Sequence, residues 1–213
     1  APQFAITAIF FFWPAIQAVR QSMHRSDAFG FGERFVGWDN FTALFRSARY
    51  WESVQVTAIF AASVAIITLC VSLSFASAVD RMIRSRTTYS TLLIWPYAVA
   101  PAVAGVLWWF LFNPSVGILA YTLRGFGISW NHFTNGNQAL LLTIIAASWA
   151  QVSYNFIFFL AGLQSIPRSL IEAAAIDGAG PTKRFFTITL PMLSPTIFFL
   201  SVVNMVYAFL SLI

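Results

Sequence analysis

Charge is what this chain has least of. Of its 213 residues only 19 are charged, 12 Lys and Arg and 7 Asp and Glu, or 9%, against roughly 25% in an ordinary globular protein. Apolar residues fill 59% of positions and phenylalanine alone 23 of them. A soluble fold cannot cover so large an apolar fraction with so few charges. No charge lies between Glu52 and Asp80, between Arg86 and Arg124, between Arg124 and Arg168, or after Arg184. A membrane span needs about 20 predominantly apolar residues to cross roughly 30 Å of hydrocarbon. The sequence is that of a polytopic membrane protein.

Other scarcities narrow the function. The single cysteine, Cys70, sits inside an apolar run, so an internal disulfide is excluded and a small buried hydrophobe is expected. The two histidines, His24 and His132, stand alone on expected outer loops as solvated residues, too few to bind a metal. The isoelectric point near 9.9 comes from a scattered net charge of +5. It lacks the clustered basic face that nucleic acid requires. No glycine-rich loop ending in Lys-Ser or Lys-Thr is present, so the chain supplies no nucleotide site of that kind. Carboxylates and nucleophiles do not converge on any one segment, which leaves no basis for an enzyme. Asn40-Phe41-Thr42 matches a glycosylation sequon, a match frequent by chance.

What is present reads as an all-α bundle of five spans: about 4–19, 54–79, 89–112, 139–163 and 191–213. Pro14 falls inside the first, a position that helices in lipid tolerate when neighbours satisfy the backbone. The polar stretch from Arg20 to Ser53 contains a turn leading into an amphipathic interfacial helix near Phe35–Phe45. Span two is rich in Ala and Ser, which lets helices approach closely. Trp95-Pro96-Tyr97 and Pro101 predict a kink or break in span three. Asn113 to Gln138 reads as a Gly/Asn-rich loop. The loop from Asp80 to Thr88 carries Arg81, Arg84 and Arg86, and the loop 164–189 carries Arg168, Lys183 and Arg184. Their density of basic residues favours the cytoplasmic side for both loops and for the N-terminus.

The second of these loops is heavily punctuated. Ser165 can cap a helix with Pro167 in its first turn. Arg168 to Asp177 then gives about ten residues, or roughly 15 Å of helix. Leu170, Ile171, Ala174 and Ala175 form an apolar stripe, and Gly178 is a natural left-handed terminator. Gly180-Pro181 starts a second short helix and Pro191 opens the next span. An Ala-faced helix fixed at both ends implies a partner that covers it. On composition alone, a helix lying on lipid headgroups is the other reading.

Glu172-Ala173-Ala174-Ala175-Ile176-Asp177-Gly178-Ala179, followed by Phe185, Ile188, Leu190 and Pro191, resembles the EAA loop of the permease subunits of bacterial ATP-binding-cassette importers. Phe35-Val36-Gly37-Trp38-Asp39-Asn40-Phe41 resembles an outer loop of the carbohydrate-uptake, maltose-type class. Pro96 to Ala104, Leu111-Phe112-Asn113-Pro114, Ser153-Tyr154-Asn155-Phe156 and Leu163 to Pro167 most resemble the branch of that class that carries glycerophosphoryl compounds. The resemblance implies a type I importer permease with a sixth span beyond Ile213. It implies that Glu172, Ala173, Ala174, Ala175, Asp177, Gly178 and Ala179 couple the permease to an ATPase dimer. It further implies a second permease subunit in a heterodimer, a periplasmic or extracellular solute-binding protein, and surrounding membrane lipid, with no nucleic acid. The chain itself would hold no cofactor, ATP and Mg being bound by the ATPase. Sn-glycerol 3-phosphate or a relative is the implied substrate, with a neutral sugar or oligosaccharide as second reading.

Polar side chains inside spans are the remaining candidates, because burying one unpaired in lipid is costly. Gln151 and Asn155 share a face of span four, Asn204 and Tyr207 share one of span five, and Tyr97 lies between the prolines of span three. They either tie helices together or line a translocation path. An ion-coupled secondary transporter would want charges inside the spans, and there are none.

Overall fold

The computed structural model describes residues 2–27, 32–82 and 86–210. Arg84 and the last three residues of the fifth expected span lie outside them. The chain divides into two compact units, Ala1–Val56 and Thr57–Ile213.

In the first unit, α1 runs Pro2–Ser22, slightly longer than the expected span. A regular helix would drive the ring of Pro14 into the carbonyl of residue 10. The turn Ala8–Phe12 widens into a π-helix immediately upstream and moves that carbonyl aside. Phe10, Phe11, Phe12 and Trp13 are all exposed. A short antiparallel hairpin follows, β1 (His24–Ser26) pairing with β2 (Glu33–Phe35) in the register His24↔Phe35. The sequence reading contained no strand here. Gly37 at φ +54° turns the chain into α2 (Asp39–Arg46), the expected short helix. Asn40 donates its amide to the carbonyls of Ser22 (2.8 Å) and His24 (3.0 Å), so this sequon asparagine pins α2 to the hairpin.

The long helix α3 (Ala48–Asp80, 33 residues) begins six residues before its expected start. Its buried face repeats every fourth residue: Phe60, Val64, Thr68, Ser72, Ala76. The Thr68 hydroxyl donates to the Val64 carbonyl at 2.7 Å and Ser72 donates to Thr68, so this small polar stripe satisfies itself. Against it pack α7 (Gly136–Ser165) and α10 (Ser194–Leu210). Ala76, Val79, Phe156, Phe159, Leu193 and Leu200 form one apolar cluster, and Phe60, Ala61, Val64, Ile144 and Ala208 a second. The Asn135 side chain caps α7, accepting from the amides of Asn137 and Gln138.

Two expected spans are broken. The third consists of α4 (Arg86–Ala98) and α5 (Pro101–Leu111) at 95° to each other. Pro96 and Pro101 each remove a backbone donor, and Ala100, forced extended by the following proline, has ψ 134°. The fifth consists of α9 (Pro181–Met192) and α10, bent by 65° at Leu193. The straight run therefore starts at Ser194 rather than Pro191. Among the described residues, α1, α3 and α7 are long and apolar enough to cross a membrane, and each bent pair counted as one span brings the number to five.

Three further expectations are corrected. The segment read as a loop, Asn113–Gln138, contains α6 (Ile118–Gly125), whose Ala120 packs in a cluster with Phe112, Trp130 and Leu142. Cys70 is exposed on the outer face of α3 rather than buried. His132 is not a solvated residue: both ring nitrogens are buried, and its ring lies 4.2 Å from that of Phe133.

The helices α7 and α10 approach closely at Gly162 of α7. A Cβ there would stand 2.8 Å from Leu193 Cδ2 and 3.2 Å from Thr196 Oγ1. Gly162→Val is expected to destabilise the purified protein by about 1–3 kcal/mol through overpacking, read as a lower melting temperature in detergent. Gly105→Val, at a position with nothing within 4 Å, serves as the near-neutral control.

Candidate functional site

The charged loops meet at one end of the second unit. The helix α8 (Arg168–Ile176) sits between α7 and α9, and its two ends are built differently. At the start, the expected Ser165 cap does not form. Ser165 ends α7 and donates to the Gly162 carbonyl at 2.7 Å, while Pro167, with ψ 123°, becomes the residue that opens α8. At the far end, Ala179 N–H donates to Ala174 O (2.9 Å) and Gly178 N–H to Ala175 O (3.1 Å). That pair of bonds closes a Schellman turn, with Gly178 in the left-handed region at φ +77°. Among the described residues, and its chain neighbours apart, nothing lies within 4 Å of where a Gly178 Cβ would be.

Of the expected apolar stripe, Ile171 and Ala174 turn inward and Leu170 and Ala175 remain exposed. Glu172, Ala173, Ile176 and Asp177 are exposed as well, Ile176 at 87%. This places an acid at each end of an uncovered Ala/Ile surface. Arg184 of α9 reaches back to the Ile171 carbonyl at 3.4 Å. Asp80 at the end of α3 forms an ion pair with Arg86 at the start of α4 at 3.5 Å. Between Asp80, Arg81 and Arg86 on one side and α8 and α9 on the other lies a cavity of about 740 Å³.

The polar span residues converge elsewhere in the second unit. Asn155 of α7 donates its amide to Asn204 Oδ1 of α10 at 3.2 Å, and both side chains are fully buried. The other half of the pair is unmade: Asn155 Oδ1 and Asn204 Nδ2 have no partner. Beside Asn155 in sequence, Tyr154 stands 5.8 Å from the Tyr97 ring and 6.4 Å from the Tyr207 ring. Tyr97 and Tyr207 are about half exposed, 55% and 53%. Asn155–Asn204 and Tyr97–Tyr154–Tyr207 are therefore two contact groups on the same helices, α7 and α10, with the end of α4. Gln151, one turn before Asn155, has its Nε2 buried and unbonded and joins neither group. Tyr154 joins this contact group although a tyrosine among phenylalanines reads as core in sequence; its position next to Asn155 is the available signal.

Tyr97 and Tyr207 offer phenolic hydroxyls on exposed rings, whereas the asparagine amides are enclosed between the helices. Among the described residues, no group of three His, Cys, Asp or Glu is placed to hold a metal. Removing one asparagine leaves the other buried and unpaired, a loss of about 1–3 kcal/mol. Asn155→Ala and Asn204→Ala should each destabilise the protein by that amount. The double variant should reveal a coupling near 0.6 kcal/mol, the usual size for such pairs in membranes. Thermal unfolding of the four proteins checks this.

The family model of the binding-protein-dependent transport system inner membrane component matches residues 84–213. The chain is 57% identical over 209 residues to the sn-glycerol-3-phosphate transport system permease protein UgpA of Rhizobium meliloti (strain 1021), covering 98% of this chain and 71% of that protein. It is 58% identical, with the same coverage, to the protein of the same name in Brucella abortus biovar 1. In fold it resembles a chain from the crystal structure of a bacterial ABC transporter involved in the import of the acidic polysaccharide alginate. The TM-score is 0.79 at 24% identity, over 95% of this chain and 69% of that one.

Proposed function

The chain belongs to the binding-protein-dependent transport system inner membrane components, and from that premise we propose that it forms half of a translocation path for sn-glycerol 3-phosphate or a related glycerophosphoryl compound. It is a multi-pass permease subunit of an ATP-binding-cassette importer in the bacterial inner membrane, and not an enzyme. The substrate reading rests on one observation: identity of 57% over nearly the whole chain to a permease named for that ester.

In this reading the loop 164–189 and the N-terminus face the cytoplasm, where α8 docks on an ATPase dimer that binds ATP and Mg. A second permease subunit completes the path, and a solute-binding protein delivers substrate from the other side. Nucleotide-driven closure of the ATPase pair moves α8 as a rigid body, because Pro167 and the Schellman turn at Gly178 fix both ends. The movement passes up α7 directly and into α10 through the elbow at Leu193. Those two helices carry Asn155 and Asn204, joined by a single side-chain hydrogen bond. A weak polar tie of this kind can part and re-form as the helices shift. Glu172 and Asp177 contribute charged ends to the docking face.

Tyr97, Tyr154 and Tyr207 suit glycerol hydroxyls through their phenolic oxygens. The long uncharged intervals of the spans hold no cation to neutralise the phosphate, so the solute-binding protein and the partner permease supply that charge. The same uncharged aromatic surface also favours a neutral sugar, whose apolar ring faces stack on tyrosine. Uptake of radiolabelled glycerol 3-phosphate by cells carrying the complete importer separates the two. Uptake of sugars without the ester refutes the substrate and leaves the family assignment standing.

A residue with a Cβ at Gly178 loses about 1 kcal/mol or more in the left-handed region, and any larger side chain projects into the docking partner. Gly178→Leu is expected to reach the membrane at normal abundance yet lose both ATPase co-purification and uptake. Glu172→Ala is expected to be milder, since an exposed ion pair is worth about 1 kcal/mol or less. Retention of ATPase and uptake by Gly178→Leu contradicts the coupling role of α8.

A further inference from the structure

The cavity between Asp80, Arg81 and Arg86 and the helices α8 and α9 carries more positive charge than its own acids balance. Arg81, Arg86, Arg168 and Arg184 line it, against Asp80 and Glu172. Arg86 is engaged by Asp80. Arg184 is half-buried; its Nη1 makes one long bond of 3.4 Å to the Ile171 carbonyl, and its Nε is buried without an acceptor. Ser77, on the α3 wall of the same cavity, likewise has a buried hydroxyl without a partner. A buried donor of this kind is costly unless an acceptor meets it, and more so on a charged group.

We propose that this cavity is a binding site for a phosphoryl anion. The formal excess is two positive charges, which matches a phosphate ester or phosphate dianion better than a carboxylate. Guanidinium groups grip phosphate oxygens through paired N–H donors, and Ser77 supplies a hydroxyl. The volume of about 740 Å³ accommodates a phosphate with a glycerol-sized substituent. A soluble phosphate and an anionic lipid headgroup present the same chemistry. Either would bridge Arg81 at the end of α3, Arg168 on α8 and Arg184 on α9. It would thereby stiffen the loop to which the proposed function assigns coupling. The site is separate from the tyrosine and asparagine groups, and its occupancy does not depend on which substrate is carried.

The test uses the complete importer in nanodiscs and follows hydrogen–deuterium exchange of residues 164–189. One arm adds inorganic phosphate to phosphatidylcholine discs, with chloride at equal ionic strength as control. The other replaces part of the phosphatidylcholine with phosphatidylglycerol and omits phosphate. Exchange is expected to slow several-fold in at least one arm; the responding arm identifies the source as soluble phosphate or lipid. Arg184→Gln and Arg168→Gln should each shift the half-saturating concentration about tenfold. Arg168→Gln guards against loop damage, because Arg168 is exposed and its side chain forms no hydrogen bond or ion pair with another described residue. No slowing in either arm overturns the proposal, as does a response that both variants retain in full. A negative result here alongside normal glycerol 3-phosphate uptake leaves the transport reading intact.

Discussion

Inside hydrocarbon a chain must satisfy its own backbone, and in this protein proline decides where it can. Nine prolines fall in a sequence with very long uncharged runs, and each removes a donor that lipid cannot replace. The fold handles six of them in three ways. Pro14 and Pro191 are each preceded by a π-helical turn that ends two residues earlier, Ala8–Phe12 in one case and Phe185–Thr189 in the other. Pro96 and Pro101 bracket a true break, where the chain turns by 95°. Pro167 and Pro181 sit at helix starts, where an absent N–H costs nothing. The broken third span, the elbow before α10 and the isolated helix α8 all follow from these placements.

The remaining helices then close around a seam of small residues. Thr68, Ser72 and Ala76 of α3, with Gly162 of α7, let backbones come close enough for Phe156, Phe159 and Leu200 to be fully buried. Association in lipid depends on such packing, because lipid tails are as apolar as leucine. The Asn155–Asn204 bond adds direction rather than much strength. It joins the two helices that lead to either side of α8.

Much of this was legible in residues alone, for physical reasons. Long uncharged intervals announced α1, α3 and α7, and the Pro and Gly positions around α8 placed that helix to within a residue. Elements that depend on distant partners were less visible. The hairpin at His24–Phe35 needs its second strand, and α6 is flanked by Gly and Asn that mask an apolar face packing on Phe112 and Trp130. Ser165 carried a capping signal, but α7 ran on and took its hydroxyl for the Gly162 carbonyl. Which face of an all-apolar helix turns inward has no local signature, and Cys70 was misplaced for that reason. Tyr97, Asn155, Asn204 and Tyr207 were chosen as polar exceptions in lipid. The structure pairs the asparagines and adds Tyr154 between the tyrosines, while Gln151 stands apart.

The claim on which the account turns is that α8 is where force enters the permease. A photo-crosslinking amino acid at Ala175, exposed on α8, tests this in the intact importer, with the same probe at Phe126, exposed beyond α6, as comparison. The account predicts that illumination joins position 175, and not position 126, to the ATP-hydrolysing subunit. It also predicts that this cross-link stops transport. Capture of that subunit from position 126, or none from position 175, would contradict it.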